Sequence, residues 1–216
     1  MGSFRAIEMI PDAKAILFDL DGTLLDCHQI HYQAFHATFL KLGIKLSRHL
    51  YRRVYCPNWY RSYAALGLPP QIWRRLDRLW LEEMSLYEVQ PFPGTVEVLT
   101  QLRRRYRLGL VTAGTGSRVR RDLERSGLDR FFEVVITNDD VERVKPHPEG
   151  LDRALKAMGL PSHSAIYVGD SEVDFEMARG LGVAFIGVAS PVSRFRPSPE
   201  APRIGIVTDL ADLLVV

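Results

Sequence analysis

Two aspartates one residue apart carry the strongest chemical signal in this 216-residue chain: Phe18-Asp19-Leu20-Asp21-Gly22-Thr23, at the end of an apolar run of strand length. Alternate side chains of an extended backbone point the same way, so both carboxylates can face one reacting centre. Such a pair divides labour. One carboxylate attacks phosphorus, while the other, its pKa set by its surroundings, protonates the leaving oxygen and later deprotonates water. Gly22 lets the backbone turn sharply away from the site. Taken alone, the motif also reads as an Asp- and Gly-rich strand cap.

Three further groups stand after later apolar runs. Thr112 is followed by Ala113, Gly114, Thr115 and Gly116, and a hydroxyl with free backbone N–H groups at a strand-to-helix turn makes a phosphate cradle. Lys145 lies in Arg143-Val144-Lys145-Pro146-His147-Pro148. The prolines restrict the segment, and an ammonium there can balance a nucleophile and phosphoryl oxygens together. In Gly169-Asp170-Ser171-Glu172-Val173-Asp174, Asp170 is a hard oxygen ligand and Asp174 can orient Lys145 or the metal shell. Asp170 and Ser171 also read as helix N-caps. Carboxylates and carbonyls without clustered Cys or His select a hard cation, Mg2+, over Zn2+.

These groups need elements to hold them. Strand-length runs recur at 15–20, 108–112, 134–137, 165–169, 183–187 and 204–207, without the alternation of a half-exposed sheet. Helix-period segments lie between them: Val96, Leu99, Leu102 and Tyr106 on one face, Val119 and Leu123 on another, and Leu151, Leu155 and Met158 on a third, stopped by Gly159. The alternation predicts an α/β fold with a Rossmann-like parallel sheet. It breaks between Asp26 and Pro91. There His28 to Leu42 and Pro70 to Tyr87 read as helices, which predicts a small all-helical cap over the sheet edge where such folds bind ligands. The expected division is residues 1–25 and 91–216 for the core and 26–90 for the cap, with hinges at Leu25 to Cys27 and Pro91 to Gly94. The Pro- and Ser-rich stretch Ser190 to Pro202 reads as a surface loop.

Asp19-x-Asp21-Gly22-Thr23, Thr112, Lys145-Pro146 and Gly169-Asp170-x-x-x-Asp174 resemble, in order and spacing, the four motifs of the haloacid dehalogenase superfamily. The likeness runs from about Lys14 to the C-terminus. A helical insert between the first two motifs resembles the C1-capped branch, which includes phosphoglycolate phosphatases and β-phosphoglucomutases. The resemblance implies an Asp19 nucleophile, Asp21 as general acid and base, and Mg2+ on the Asp19 carboxylate, the Asp21 carbonyl and Asp170. It further implies phosphate binding by Thr112, the Ala113 N–H and Lys145, with Asp174 in support. The expected activity is hydrolysis of a small phosphorylated metabolite through an aspartyl phosphate. The alternatives are a mutase acting on a sugar phosphate and an inactive phosphate-binding or regulatory module. Asp21 argues against a dehalogenase, which by the same resemblance lacks it.

Substrate choice falls to the cap. His31 resembles a site histidine of β-phosphoglucomutases and reads equally as a packing residue. Trp59 stands where the mutase resemblance has an arginine. Trp59 and Tyr60 form either an aromatic wall for substrate or part of the cap core.

Composition bounds the rest. A net charge of +2 and a pI near 8.6 give no argument for nucleic acid or an anionic membrane. The arginine groups 103–107 and 118–125 read as solvated helix faces, with no aromatic residues interleaved. Two cysteines exclude a disulfide framework. No apolar run reaches the roughly 18 residues of a membrane span, and the first fourteen residues lack a signal-peptide core. The expected protein is cytoplasmic, a monomer or homodimer, with a small phosphorylated metabolite as its partner.

Overall fold

A computed structural model describes residues 11–188, the strand at 204–207 and residue 213; the loop read at 190–202 lies outside the described residues. The strands are β1 (Ala15–Phe18), β2 (Leu25–Asp26), β3 (Gln90–Pro91), β4 (Arg107–Val111), β5 (Val134–Ile136), β6 (Ala165–Gly169), β7 (Ala184–Val188) and β8 (Ile204–Val207). The helices are α1 (His28–Lys41), α2 (Arg48–Val54), α3 (Trp59–Ala65), α4 (Trp73–Met84), α5 (Thr95–Leu102), α6 (Gly116–Ser126), α7 (Glu149–Ala157) and α8 (Glu172–Leu181).

Six strands form a parallel sheet in the order β5-β4-β1-β6-β7-β8, the α/β architecture that the alternating runs imply. Every residue of β1, β6 and β7 is buried, because helices cover both faces. Alternate β1 residues serve opposite cores: Ile16 and Phe18 join one apolar cluster, Ala15 and Leu17 the other. Leu151, Leu155 and Met158 seal the second, as their spacing predicts. On α5 the face is rotated from the predicted one. Val98, Leu99 and Leu102 are buried, Val96 is exposed, and Tyr106 lies beyond the helix end. Thr95 and Val98 lie one turn apart and set this inward face.

The order explains where chemistry can occur. The chain runs from β1 to β4 and β5 on one side, then crosses to β6 on the other, so β1 lies at the topological switch point. Phe18 is level with Leu110 of β4 and Val168 of β6. The residues that follow these three strands therefore emerge side by side.

The insert comprises α1 to α4 and leaves the sheet through β2 and β3, which pair antiparallel, Leu25 with Pro91 and Asp26 with Gln90. A two-residue ladder leaves no periodic trace, so the sequence pattern gave no strand there. It falls on the two predicted hinge segments. Pro70–Ile72 is a 3-10 turn, with Pro70 supplying a pre-set first position, and α4 proper starts at Trp73. An aromatic core holds the insert: Phe35 packs 4.5 Å from Trp59, 5.6 Å from Trp80 and 5.7 Å from Tyr51, ring centre to ring centre. Lys41 pairs with Glu83 at 2.5 Å between α1 and α4. Among the described residues no helix is long and apolar enough to cross a membrane.

Candidate active site

Asp19, the residue after β1, is 6% exposed, and Lys145 reaches it from the segment between β5 and α7. Lys145 Nζ lies 2.6 Å from Asp19 Oδ1, 2.7 Å from Asp174 Oδ1 and 2.6 Å from the Tyr167 hydroxyl. Tyr167 in turn donates to the Val111 carbonyl at 2.6 Å, so the hydroxyl is oriented to accept from the ammonium, as Asp19 and Asp174 do. Burial opposes the charge on Lys145, but Asp174 and Asp19 outweigh it and raise its pKa. The Asp19 pKa is raised as well: burial pushes its carboxyl well up, against the pull of Lys145 and with the neighbouring carboxylates.

Asp170 follows β6. A carboxylate oxygen from each of Asp19, Asp170 and Asp174 lies within 4.8 Å of the others, and all three residues are buried. Three buried oxygen donors with no sulfur or imidazole among them suit a hard divalent cation. Asp174 is already committed to Lys145 and to a reciprocal cap of α8. Its carboxylate accepts from the Ser171 N–H at 3.1 Å, and its own N–H donates to Ser171 Oγ at 3.3 Å. Ser171 is thus the N-cap, and both Asp174 oxygens are engaged, Oδ1 by Lys145 and Oδ2 by Ser171, whereas Lys145 holds Asp19 through Oδ1. Gly22, at φ +83°, turns the chain beneath them; a Cβ there would fall 2.5 Å from Asp170 Oδ2 and 2.6 Å from His28 Nε2.

The Asp21 carboxylate lies outside that cluster and groups with Cys27 and His31 instead. Arg118, from the first turn of α6, grips it with Nη1 at 3.0 Å from Oδ1 and Nη2 at 2.5 Å from Oδ2. Burial favours the neutral acid, yet Arg118, helped by His31, holds Asp21 down at about 2. Arg118 is 3% exposed, which corrects its reading as part of a solvated helix face. Tyr167 is a second contributor that motif reading passed over.

A chamber of about 20 Å³ is lined by Asp19, Asp21, Thr112, Ala113 and Arg118 from the core and by His31, Tyr55, Pro57 and Trp59 from the insert. The predicted phosphate ligands Thr112 and Ala113 thus share it with both aspartates. Lys145 meets Asp19 from behind. Thr112 Oγ1 accepts from the Gly114 N–H at 3.2 Å. His31 is 1% exposed, its two ring nitrogens lack hydrogen-bond partners among the described residues, and Nε2 lies 3.7 Å from Asp21 Oδ1. Trp59 belongs both to the chamber wall and to the cap core. Tyr60 is 44% exposed, stacks on Trp73 with centres 5.2 Å apart, and lines an outer cavity of about 240 Å³ that shares Pro57, Trp59 and Ala113 with the chamber. Asn58 Nδ2 closes the seam by donating to the Lys145 carbonyl at 3.3 Å.

Residues 16–188 match the family model for haloacid dehalogenase-like hydrolases. The chain is 32% identical over 196 residues to pyrophosphatase PpaX of Halalkalibacterium halodurans, covering 82% of this chain and 85% of that protein. A crystal structure from Bacteroides fragilis, described as a haloacid dehalogenase-like hydrolase, superposes with a TM-score of 0.84 at 25% identity, covering 93% of this chain and 99% of the other. CbbY from Rhodobacter sphaeroides, solved in complex with phosphate, gives 0.80 at 24% identity, covering 93% and 96%. With the four motifs gathered at one sheet edge and the match spanning most of its length, the chain belongs to the haloacid dehalogenase-like hydrolase family.

Proposed function

We propose that this phosphatase hydrolyses a small phosphorylated metabolite, with Mg2+ as its metal, through an aspartyl phosphate on Asp19. The observation that carries the reading is the convergence of Asp19, Lys145 and Asp170 beside Thr112 and Ala113. A nucleophile, a fixed cation, a hard-metal ligand and neutral phosphate donors then serve one phosphoryl group. Mg2+ would be held by the carboxylates of Asp19 and Asp170 with the Asp21 carbonyl, and when bound would offset phosphoryl charge and orient the substrate.

The residues divide the reaction as follows. The Asp19 carboxylate forms a bond to phosphorus while the bond to the leaving oxygen breaks and that oxygen takes the electron pair. Lys145 keeps Asp19 aligned and balances its charge. In the second half, water attacks phosphorus and gives its proton to Asp21, and the Asp19–phosphorus bond breaks to release inorganic phosphate. An alcohol leaving group needs Asp21 to arrive protonated, whereas a leaving phosphate does not. A carboxylate held ionised by Arg118 therefore favours a phosphoanhydride as a second reading beside phosphomonoesters, in keeping with the pyrophosphatase name of the PpaX relative.

The chamber has room for about one water molecule, so substrate entry requires the insert to swing on the β2–β3 stem. With both cysteines unpaired, a reducing cytoplasm is the compartment that suits the chain. The test is phosphate release from p-nitrophenyl phosphate, inorganic pyrophosphate, phosphoglycolate and sugar phosphates, with Mg2+ and with chelator. Glucose-phosphate isomer conversion followed in parallel tests the mutase. Metal-dependent release that disappears in Asp19→Asn is expected. No release from any member of the panel, or an active Asp19→Asn, would leave the inactive-module reading in its place.

A further inference from the structure

Arg118 occupies the third position of α6 and is almost wholly enclosed. Its partners come from three places. Asp21 takes both terminal nitrogens, Asp122, one turn along α6, takes Nη1 at 3.1 Å, and the Trp80 ring of the insert covers the guanidinium at 5.9 Å. Asp122 is itself held by Arg121 at 3.0 and 2.9 Å, so Arg118 is fixed from behind as well as in front. The Nε has no hydrogen-bond partner among the described residues.

Burying a guanidinium and two carboxylates is a poor way to gain stability, because desolvation consumes most of the attraction. The local sequence nevertheless makes room for it. A Cβ at Gly114 would lie 2.2 Å from Arg118 Nη2 and 2.7 Å from Val119 Cγ2, so a glycine in the phosphate-cradle loop is required for the arginine to reach Asp21. A planar fork matched to a carboxylate fixes orientation as well as charge, which a lysine would not do.

We propose that Arg118 is a positioning residue: it sets the orientation of the Asp21 carboxylate toward the reacting phosphoryl group, and Gly114 is the position that admits it. Its positive charge also lets Asp21 stand in one chamber with Asp19 while an anionic substrate enters. The proposal rests on the reading of Asp21 as the proton-transfer group.

The experiment is a double-mutant cycle on steady-state hydrolysis of p-nitrophenyl phosphate and of inorganic pyrophosphate with Mg2+, whose leaving groups need no proton from Asp21, using Arg118→Gln, Arg118→Lys, Asp21→Asn and the Arg118→Gln/Asp21→Asn pair. For Arg118→Gln, kcat falls by about 100-fold with KM within about threefold, and added guanidinium ion recovers part of the loss. Arg118→Lys lies between that variant and the parent. In the Asp21→Asn background the Arg118→Gln change costs less than about threefold, since two groups acting through one step are not additive. Should Arg118→Gln fail to fold, Gly114→Ala, which displaces the guanidinium without removing it, takes its place in the same cycle. A parent-like kcat in Arg118→Gln, or its full penalty persisting beside Asp21→Asn, would overturn the role of Arg118. An inactive parent would instead remove the reading of the whole site.

Discussion

Lys145 Nζ stands 2.6 Å from Asp19 Oδ1, joining residues 126 positions apart in the chain. The ammonium also separates two buried carboxylates, Asp19 and Asp174, that would otherwise face each other across the site. Lys145→Met removes the charge but keeps most of the stem. Breaking a buried pair from one side leaves the other side uncompensated, so unfolding in urea should show a loss of about 3 kcal/mol. The turnover number should fall by about 100-fold or more. Adding Asp19→Asn to Lys145→Met should return part of the stability and none of the activity. A single variant as stable as the parent would show that the pair carries no structural weight.

Tyr167→Phe is the milder cut. The Tyr167 hydroxyl donates to the Val111 carbonyl and receives the Lys145 ammonium, and burial, then the nearby Asp174, pushes its own pKa well up, so it stays neutral. Its loss should cost about 1–2 kcal/mol in thermal or urea unfolding, because Lys145 and a backbone carbonyl each lose a partner. Hydrolysis should slow by a smaller factor than for Lys145→Met, with KM nearly unchanged. An effect on KM alone would mean that Tyr167 does not act through Lys145.

Much of this geometry was legible before any coordinates. Asp19, Thr112 and Asp170 each follow an apolar run, and a parallel sheet brings such ends together whatever the intervening sequence. Arg118 was not legible, since Arg118, Arg120, Arg121 and Arg125 look alike on a helix whose other face is Val119 and Leu123. Arg118 and Asp122 lie at the border of that apolar stripe, and only the packing of α6 against Asp21 distinguishes them from their exposed neighbours. Gly114 was a faint signal, four residues ahead and in need of a reason. Tyr167 offered a clearer one: a hydroxyl within the aliphatic run Ala165–Gly169 must find a partner when buried. The rotated α5 face shows the opposite case, a periodic pattern offering two adjacent stripes between which tertiary packing decides.

His31 makes stability depend on pH in a defined direction. Burial, reinforced by Arg118 and His28 against the pull of Asp21, lowers its pKa to about 3, while the unfolded chain holds histidine near about 6.5. Between these values the unfolded state binds the additional proton. The contribution of His31 is therefore complete above the unfolded value and shrinks as pH falls toward 3. Between pH 7 and pH 5 the parent should lose roughly 2 kcal/mol more than His31→Gln in urea unfolding. Equal losses in the two proteins would mean that the imidazole is not held neutral.

Trp59 and Tyr60 are adjacent in sequence but differ in what their removal should do. Trp59 packs on Phe35, on Trp80 at 5.0 Å and edge-on to His31 at 5.8 Å, while its remaining surface lines the chamber that holds Asp19 and Asp21. Truncating such a ring to Ala deletes core contacts and leaves a cavity, so Trp59→Ala should lose about 3 kcal/mol. Trp59→Phe should keep most of that stability while widening the chamber. Tyr60 rests on Trp73 at the surface, and Tyr60→Ala should cost less than about 1 kcal/mol. Discrimination among small phosphorylated substrates should therefore shift in Trp59→Phe and stay level in Tyr60→Ala. Scored as ratios of kcat/KM across one substrate panel, the reverse pattern would move the specificity surface from the inner chamber to the outer cavity.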